Sequence, residues 1–184
     1  MVVASQVDAA AAGAELLRAG GTAADAAVAV AFALSVTDIS QTGIGGGGAM
    51  LHFDATARRA SHLSFYPRTG EDPAWGEAEA AGSRRPGRIA ATPGMVAGLL
   101  ETHRRFGRLP LAQVMAPAIR LAREGFIVGP LLSRTIASSR EKLLTDSAAT
   151  RLLLPNGEAL RPGGRRVEPG VGGARESLAP GGGD

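Results

Sequence analysis

Thr42-Gly43-Ile44-Gly45-Gly46-Gly47-Gly48-Ala49-Met50-Leu51-His52-Phe53 is the stretch whose reading decides the fold. Five of the six residues from Gly43 to Gly48 are glycine, and an apolar segment comes directly after them. Lacking a Cβ, such a run reaches positive φ or lets another group approach the backbone closely. It also satisfies G-x-G-x-x-G, the spelling of dinucleotide sites. That chemistry needs a strand before the glycines and a helix after them, because the helix N-terminus holds the pyrophosphate. Here a helical pattern precedes and a strand pattern succeeds the run, and no G-K-[ST] continues it, which excludes a P-loop. The glycines read instead as a close-packed crossover from a buried helix to a strand.

Upstream, Ser5-Gln6-Val7-Asp8 and Thr22-Ala23-Ala24-Asp25 share one form, a hydroxyl N-cap with a carboxylate three residues on. Both groups satisfy amides of a first helical turn, and the acid complements the helix dipole. The spacing predicts a helix to about Ala19, stopped by Gly20-Gly21, and a second over Ala23–Val36. The second is apolar nearly all round and should be buried. Together they make a helical hairpin.

Downstream, Ala49, Leu51 and Phe53 fall on one face of a strand, with Met50, His52 and Asp54 on the other. Ser61–Tyr66 repeats the alternation, with Leu63 and Phe65 inward and His62, Ser64 and Tyr66 outward. Ala55–Arg59 turns between them, giving an antiparallel hairpin that Pro67 ends. Residues 70–90 read as a loop, with Glu71-Asp72-Pro73 and Arg84-Arg85-Pro86-Gly87-Arg88. Thr92-Pro93 signals a helix start, Thr as N-cap and Pro first in the helix, and Gly107 a stop. Pro117 should break the next helical stretch into a turn at Leu111–Met115 and a helix to Glu124, closed by Gly125. A last helix is expected over Leu131–Leu143. From Pro155 the periodicity fades, and Gly and Pro punctuate a tail over 169–184 that is not expected to fold alone.

With 184 residues, 45% of them hydrophobic, and a mean hydropathy of +0.06, the chain can fold around a core. The net charge of +3 is spread out, and the densest basic group, at Arg84–Arg88, lacks interleaved aromatics for base stacking, so no nucleic-acid function is expected. With no cysteine, disulfides, thiolate metal sites and cysteine nucleophiles are excluded. The longest apolar run, Ala26–Leu34, is far short of the ~20 residues of a spanning helix. Met1–Ser5 has no basic or apolar signal region, so the chain as it stands reads as cytoplasmic, or as exported should a leader precede it. His52, His62 and His103 lack metal-ligand spacing, and His52 and His62 read as neighbours on the hairpin's outward face. Neither G-x-S-x-G nor H-E-x-x-H occurs. The residues alone supply no complete catalytic set and imply no cofactor.

The ordered motifs resemble the γ-glutamyltranspeptidase (glutathione hydrolase) family, specifically the N-terminal part of its large subunit. They are Leu16-Leu17-Arg18-Ala19-Gly20-Gly21-Thr22-Ala23-Ala24-Asp25-Ala26-Ala27-Val28-Ala29, Thr42–Gly48, Thr92-Pro93-Gly94-Met95-Val96-Ala97-Gly98, Phe106-Gly107-Arg108-Leu109-Pro110, and Ala116–Ala122 with Glu124-Gly125-Phe126 after it. The resemblance covers 1–168. It implies an α+β chain forming part of an N-terminal-nucleophile (Ntn) hydrolase αββα sandwich, in which the β-hairpin supplies strands. It further implies a precursor that cleaves itself, and a partner small subunit whose first residue, a Thr, attacks a γ-glutamyl or other amide to give an acyl-enzyme.

Two departures from the family pattern matter. No Thr of this chain stands in the family's nucleophile setting, so the isolated chain is expected to be inactive and contributes no catalytic residue. The family's large subunit also grips the substrate carboxylate with an Arg in an Arg-Glu pair after the second strand, where this chain has Tyr66-Pro67. Arg68 keeps the parity of Tyr66 about 6–7 Å further along an extended strand and is the candidate anion-binding residue. The alternative for Arg68 is an ordinary surface arginine. For the whole chain the alternatives are an acylase-type relative with another acyl donor and a non-catalytic, truncated binding or scaffold protein.

Overall fold

Asp25 explains the start of the chain. In the computed structural model, which describes residues 1–68 and 91–167, α2 (Ala23–Thr37) opens with a reciprocal capping box. The Thr22 hydroxyl accepts from the Asp25 N–H, and an Asp25 carboxylate oxygen accepts from the Thr22 N–H at 2.8 Å. α1 (Val7–Arg18) starts differently: Gln6 occupies the N-cap with no side-chain bond. The expected Ser5 cap is absent, because the Ser5 hydroxyl donates instead to the carboxylate of buried Asp38 at the end of α2, 2.9 Å away. Sequence-distant hydrogen bonding has overridden a local signal.

The chain divides into two compact units, Met1–Gly43 with Phe106–Asp184, and Ile44–Arg105. In the first, α1 and α2 form the helical hairpin, and α4 (Leu111–Glu124) packs on α2. Gly13 allows the close approach of α1 and α2, since a Cβ there would lie 2.6 Å from a Val30 methyl. Val28, Ala29, Phe32, Ala33 and Val36 bring α2 into the core as its composition requires. Pro117 does not break α4, which runs unbroken through it; Val114, Met115 and Ala118 around it are fully buried, and that packing offsets the hydrogen bond a proline forfeits. Gly125 ends α4 at φ 88°, ψ 163°, a region essentially restricted to glycine.

Beyond Gly125, β3 (Phe126–Ile127) pairs antiparallel with β4 (Arg165–Arg166), a pairing that the sequence pattern does not signal. The expected helix over Leu131–Leu143 is two, α5 (Pro130–Ser138) and α6 (Arg140–Leu143). α7 (Ser147–Leu153), capped by Asp146, comes next, and a 3-10 turn (Pro155–Gly157) stands where the periodicity fades. Phe126, Val128, Leu132, Ile136 and Leu154 close a core cluster with Val36 and Ala122.

The second unit is built on the antiparallel hairpin of β1 (Ala49–Asp54) and β2 (Arg59–Ser64). Asp54 accepts from the N–H groups of Ala57 and Thr56 in its turn, and these donors, Ala57 first, hold its carboxyl below the usual value. The register pairs Leu51 with His62 and His52 with Ser61, so the two histidines lie on opposite faces. Their expected adjacency is corrected by this register. Met50 and His52 are half-buried, whereas Leu51 and Phe53 are 74% and 63% exposed. α3 (Met95–Phe106) completes the unit. It begins three residues after Thr92, which forms a two-way backbone bridge with Arg68 rather than opening the helix. The loop expected over 70–90, with Glu71, Asp72 and Arg84–Arg88, and the tail over 169–184 lie outside the described residues.

Candidate functional site

The glycine run is held in place by the segment after β2 and by the start of α3. Gly48 and Phe65 exchange backbone hydrogen bonds, extending the β1–β2 ladder by one pair. The Gly46 carbonyl accepts from Gly94 and Met95 at 3.1 and 3.0 Å, so the run satisfies amides at the start of α3. A Cβ at Gly47 would stand 2.3 Å from Pro67, one at Gly94 2.2 Å from the Phe65 carbonyl, and one at Gly98 2.1 Å from the Phe65 ring. The described glycines with left-handed φ are Gly20, Gly125, Gly157 and Gly163, none of them in the run. Close approach, not special backbone angles, is what Gly47, Gly94 and Gly98 supply.

Residues 63–68 thereby lie against the N-terminal half of α3 and leave a cavity of about 490 Å³. Leu63, Phe65, Pro67, Pro93 and Ala97 give it apolar walls, while Tyr66, Arg68, Glu101 and Arg105 bring polar groups. The sequence-derived candidate Arg68 is thus on the same cavity as Tyr66, its backbone fixed by the bridge to Thr92. Glu101 and Arg105 do not stand out in the sequence. Their i, i+4 spacing was the available signal, and on its own it marks an ordinary helix-surface pair.

Glu101 is bound twice. Arg104 donates to its two oxygens from Nε at 2.6 Å and Nη2 at 2.8 Å, and Arg105 donates from Nε. Arg104 first, then Arg105, push the Glu101 carboxyl down to about 2. A carboxylate so held stays charged and acts as an anchor for the two guanidiniums rather than as a base. Among the described residues no group of three or more His, Asp or Glu is placed to hold a metal ion.

In the first unit, two of the resemblance motifs converge on Asp25, which is fully buried. Besides Thr22, its carboxylate accepts from Arg108 N at 3.1 and 3.0 Å and from Leu109 N at 3.4 Å, while the Thr22 hydroxyl donates to the Phe106 carbonyl at 2.8 Å. Gly20-Gly21-Thr22-Ala23-Ala24-Asp25 and Phe106-Gly107-Arg108-Leu109-Pro110, distant in sequence, are two halves of one hydrogen-bonded joint.

A sequence model of gamma-glutamyltranspeptidase matches residues 9–183. The chain belongs to the γ-glutamyltranspeptidase family. It is 39% identical over 180 residues to the Acylase ACY 1 proenzyme of Pseudomonas sp. (strain V22), covering 91% of this chain and 32% of that protein. Against the glutathione hydrolase proenzyme of Bacillus subtilis (strain 168) it is 35% identical over 164 residues, covering 85% and 28%. Among solved structures, the Helicobacter pylori gamma-glutamyltranspeptidase superposes with a TM-score of 0.86 at 25% identity, over 97% of this chain and 53% of that one. The cephalosporin acylase of Bacillus halodurans gives 0.83 at 30%, over 95% and 34%. The chain therefore spans about a third of the curated relatives' length. Its helices and antiparallel hairpin are part of the family's Ntn-hydrolase fold, an α+β architecture. No described helix is long and apolar enough to cross a membrane.

Proposed function

We propose that this chain is the N-terminal part of the large subunit of a γ-glutamyltranspeptidase-like amidohydrolase. The observation that carries the proposal is the extent of the family match, residues 9–183, with its motifs built into the Asp25 joint and the glycine junction. The reaction is transfer of an acyl group from an amide to water or an amino acid through an acyl-enzyme. The attacking Thr belongs to a small-subunit partner from the same precursor, and this chain alone turns over no amide. Arg68 assists in holding an anionic group of the substrate.

The acyl donor is γ-glutamyl or a related acyl group. Two observations favour the acylase alternative: Tyr66-Pro67 stands after the second strand, and a relative at 39% identity is an acylase. A non-catalytic scaffold is the remaining alternative. Two measurements separate these readings. Purified chain given γ-glutamyl-p-nitroanilide should release no p-nitroaniline; any turnover by this chain overturns its inactivity. Sequencing the DNA beyond codon 184, in all frames, should reveal a Thr-Thr-His-like segment, and its absence would favour the scaffold.

A further inference from the structure

Asn156 is the single asparagine of the 184 residues, and a glycine follows it. The pair lies in the 3-10 turn after α7, with Asn156 at φ 59° and ψ 23° and Gly157 at φ 78°. Asparagine and glycine are the residues that tolerate this left-handed backbone best, so the turn accounts for both. It also brings together the parts of a ring closure. The Asn156 side chain is exposed, Gly157 has no side chain to shield its nitrogen, and a Cβ built there would meet nothing within 4 Å. A succinimide ring joining the Asn156 Cγ to the Gly157 nitrogen therefore has room to form. Two hydrogen bonds restrain it. The Gly157 N–H donates to the Leu154 carbonyl at 2.8 Å, and Arg140 Nε, at the start of α6, donates to the Gly157 carbonyl at 3.1 Å.

We propose that Asn156 is a self-modification site, converting to an isoaspartyl linkage that loosens the adjoining core. When the turn opens, the freed Gly157 amide loses its proton to hydroxide, and its nitrogen bonds to the Asn156 Cγ. The bond from Cγ to the side-chain nitrogen breaks and ammonia leaves, giving the succinimide. Water then opens the ring at the main-chain carbonyl to give isoaspartate, or at Cγ to give aspartate. The net change is an amide and a water exchanged for a carboxylate and ammonium. The isoaspartyl product carries one extra main-chain carbon close after Leu154, which is 1% exposed and packs in the cluster of Val36, Ala122 and Phe126. The lengthened turn gives up its bond to Leu154 and its tie to α6.

The test is peptide mapping of the purified 184-residue chain held in mildly alkaline buffer. Residue 156 should gain the mass of an amide-to-acid conversion, and methyl transfer by a protein isoaspartyl methyltransferase should count the isoaspartyl fraction. Opening a modest hydrogen bond slows the step only slightly, so the native rate should lie within about tenfold of the urea-unfolded rate. Arg140→Gln, which frees the turn, should accelerate conversion roughly threefold. Asn156→Gln should remove the isoaspartate, because its larger ring closes far more slowly. No conversion in the native chain, a native rate more than about tenfold below the unfolded one, or undiminished isoaspartate in Asn156→Gln would overturn the site. An unchanged rate in Arg140→Gln would overturn the restraint assigned to Arg140. Asn156→Asp carries the new charge without the longer backbone. The isoaspartyl form should unfold about 2–4 °C below that variant by circular dichroism, and equal midpoints would overturn the loosening of Leu154.

Discussion

Replacing Asp25 tests whether the motif joint holds the first unit together. The carboxylate is fully buried and accepts from the backbone N–H groups of Thr22, Arg108 and Leu109, the last at a long 3.4 Å. In Asp25→Asn the shape survives, but one oxygen becomes an NH₂ that faces backbone donors. Hydrogen bonds to a charged acceptor contribute about 1.5–3 kcal/mol and neutral ones about 1, so weakening two good bonds costs roughly 2 kcal/mol. Asp25→Ala leaves buried N–H groups without an acceptor and should cost about 4 kcal/mol, from roughly 1–3 for each stranded group. In a chain of this size each kcal/mol lowers Tm by about 2–4 °C, which predicts falls of roughly 4–8 °C for Asn and about twice that for Ala. Thermal unfolding at fixed scan rate, monitored by circular dichroism in the far ultraviolet, reads both. An Asn variant within ~1 °C of the parent would refute the reasoning, because so small a change converts to well under ~1 kcal/mol.

Gly98→Ala would normally strengthen a helix by about 1 kcal/mol, but here the methyl meets the Phe65 ring at 2.1 Å, so overpacking should reverse the sign to a loss of ~1–3 kcal/mol in urea unfolding. A stabilised Gly98→Ala would show that residue 65 does not pack there. Gly125→Ala sets a methyl 2.6 Å from the Arg166 carbonyl at a backbone angle that only glycine tolerates; amide exchange at Val128, whose N–H bonds to the Gly164 carbonyl, should accelerate. Unchanged protection there would count against the β3–β4 pairing. The Glu101 side chain, observed by carboxyl NMR, should titrate at about 2. Because its folded-state value lies below the unfolded one, the contribution of its arginine pairs is complete above the ordinary carboxylate range and is lost as pH falls through about 2. A midpoint near the ordinary value of 4.5 would mean that the clamp is absent in solution.

The local signals that survived into the structure are those whose partners are close in sequence. Thr22 and Asp25 are three residues apart, and their capping box forms as the sequence predicts. The Ser5 and Thr92 signals failed because each residue is engaged by a distant one, Asp38 and Arg68. Pro117 shows the same hierarchy: a local cost of a few kcal/mol yields to a helix face whose neighbours are fully buried. On the cavity, the place of Arg68 is legible from strand parity, but that of Arg105 is not, because it depends on Gly94 and Gly98 letting Phe65 close against α3, a juxtaposition no helical spacing encodes.

The hairpin shows why alternation alone cannot assign an inside. Period-two patterning correctly separated Leu51 and Phe53 from Met50 and His52, yet within this chain the more apolar pair is the exposed one. Leu63 pairs with Met50 and Phe65 with Gly48, so the face turned inward is selected by β2 and the glycine junction rather than by the hydrophobicity of β1. A strand whose larger apolar side chains remain in water is unfavourable by about 25 cal/mol per Å² of uncovered apolar surface. An isolated two-stranded hairpin is marginal as well. Both costs are consistent with a chain spanning about a third of its relatives' length, in which the crossover at Gly43–Gly48 delivers a strand with one face satisfied locally and the other face uncovered.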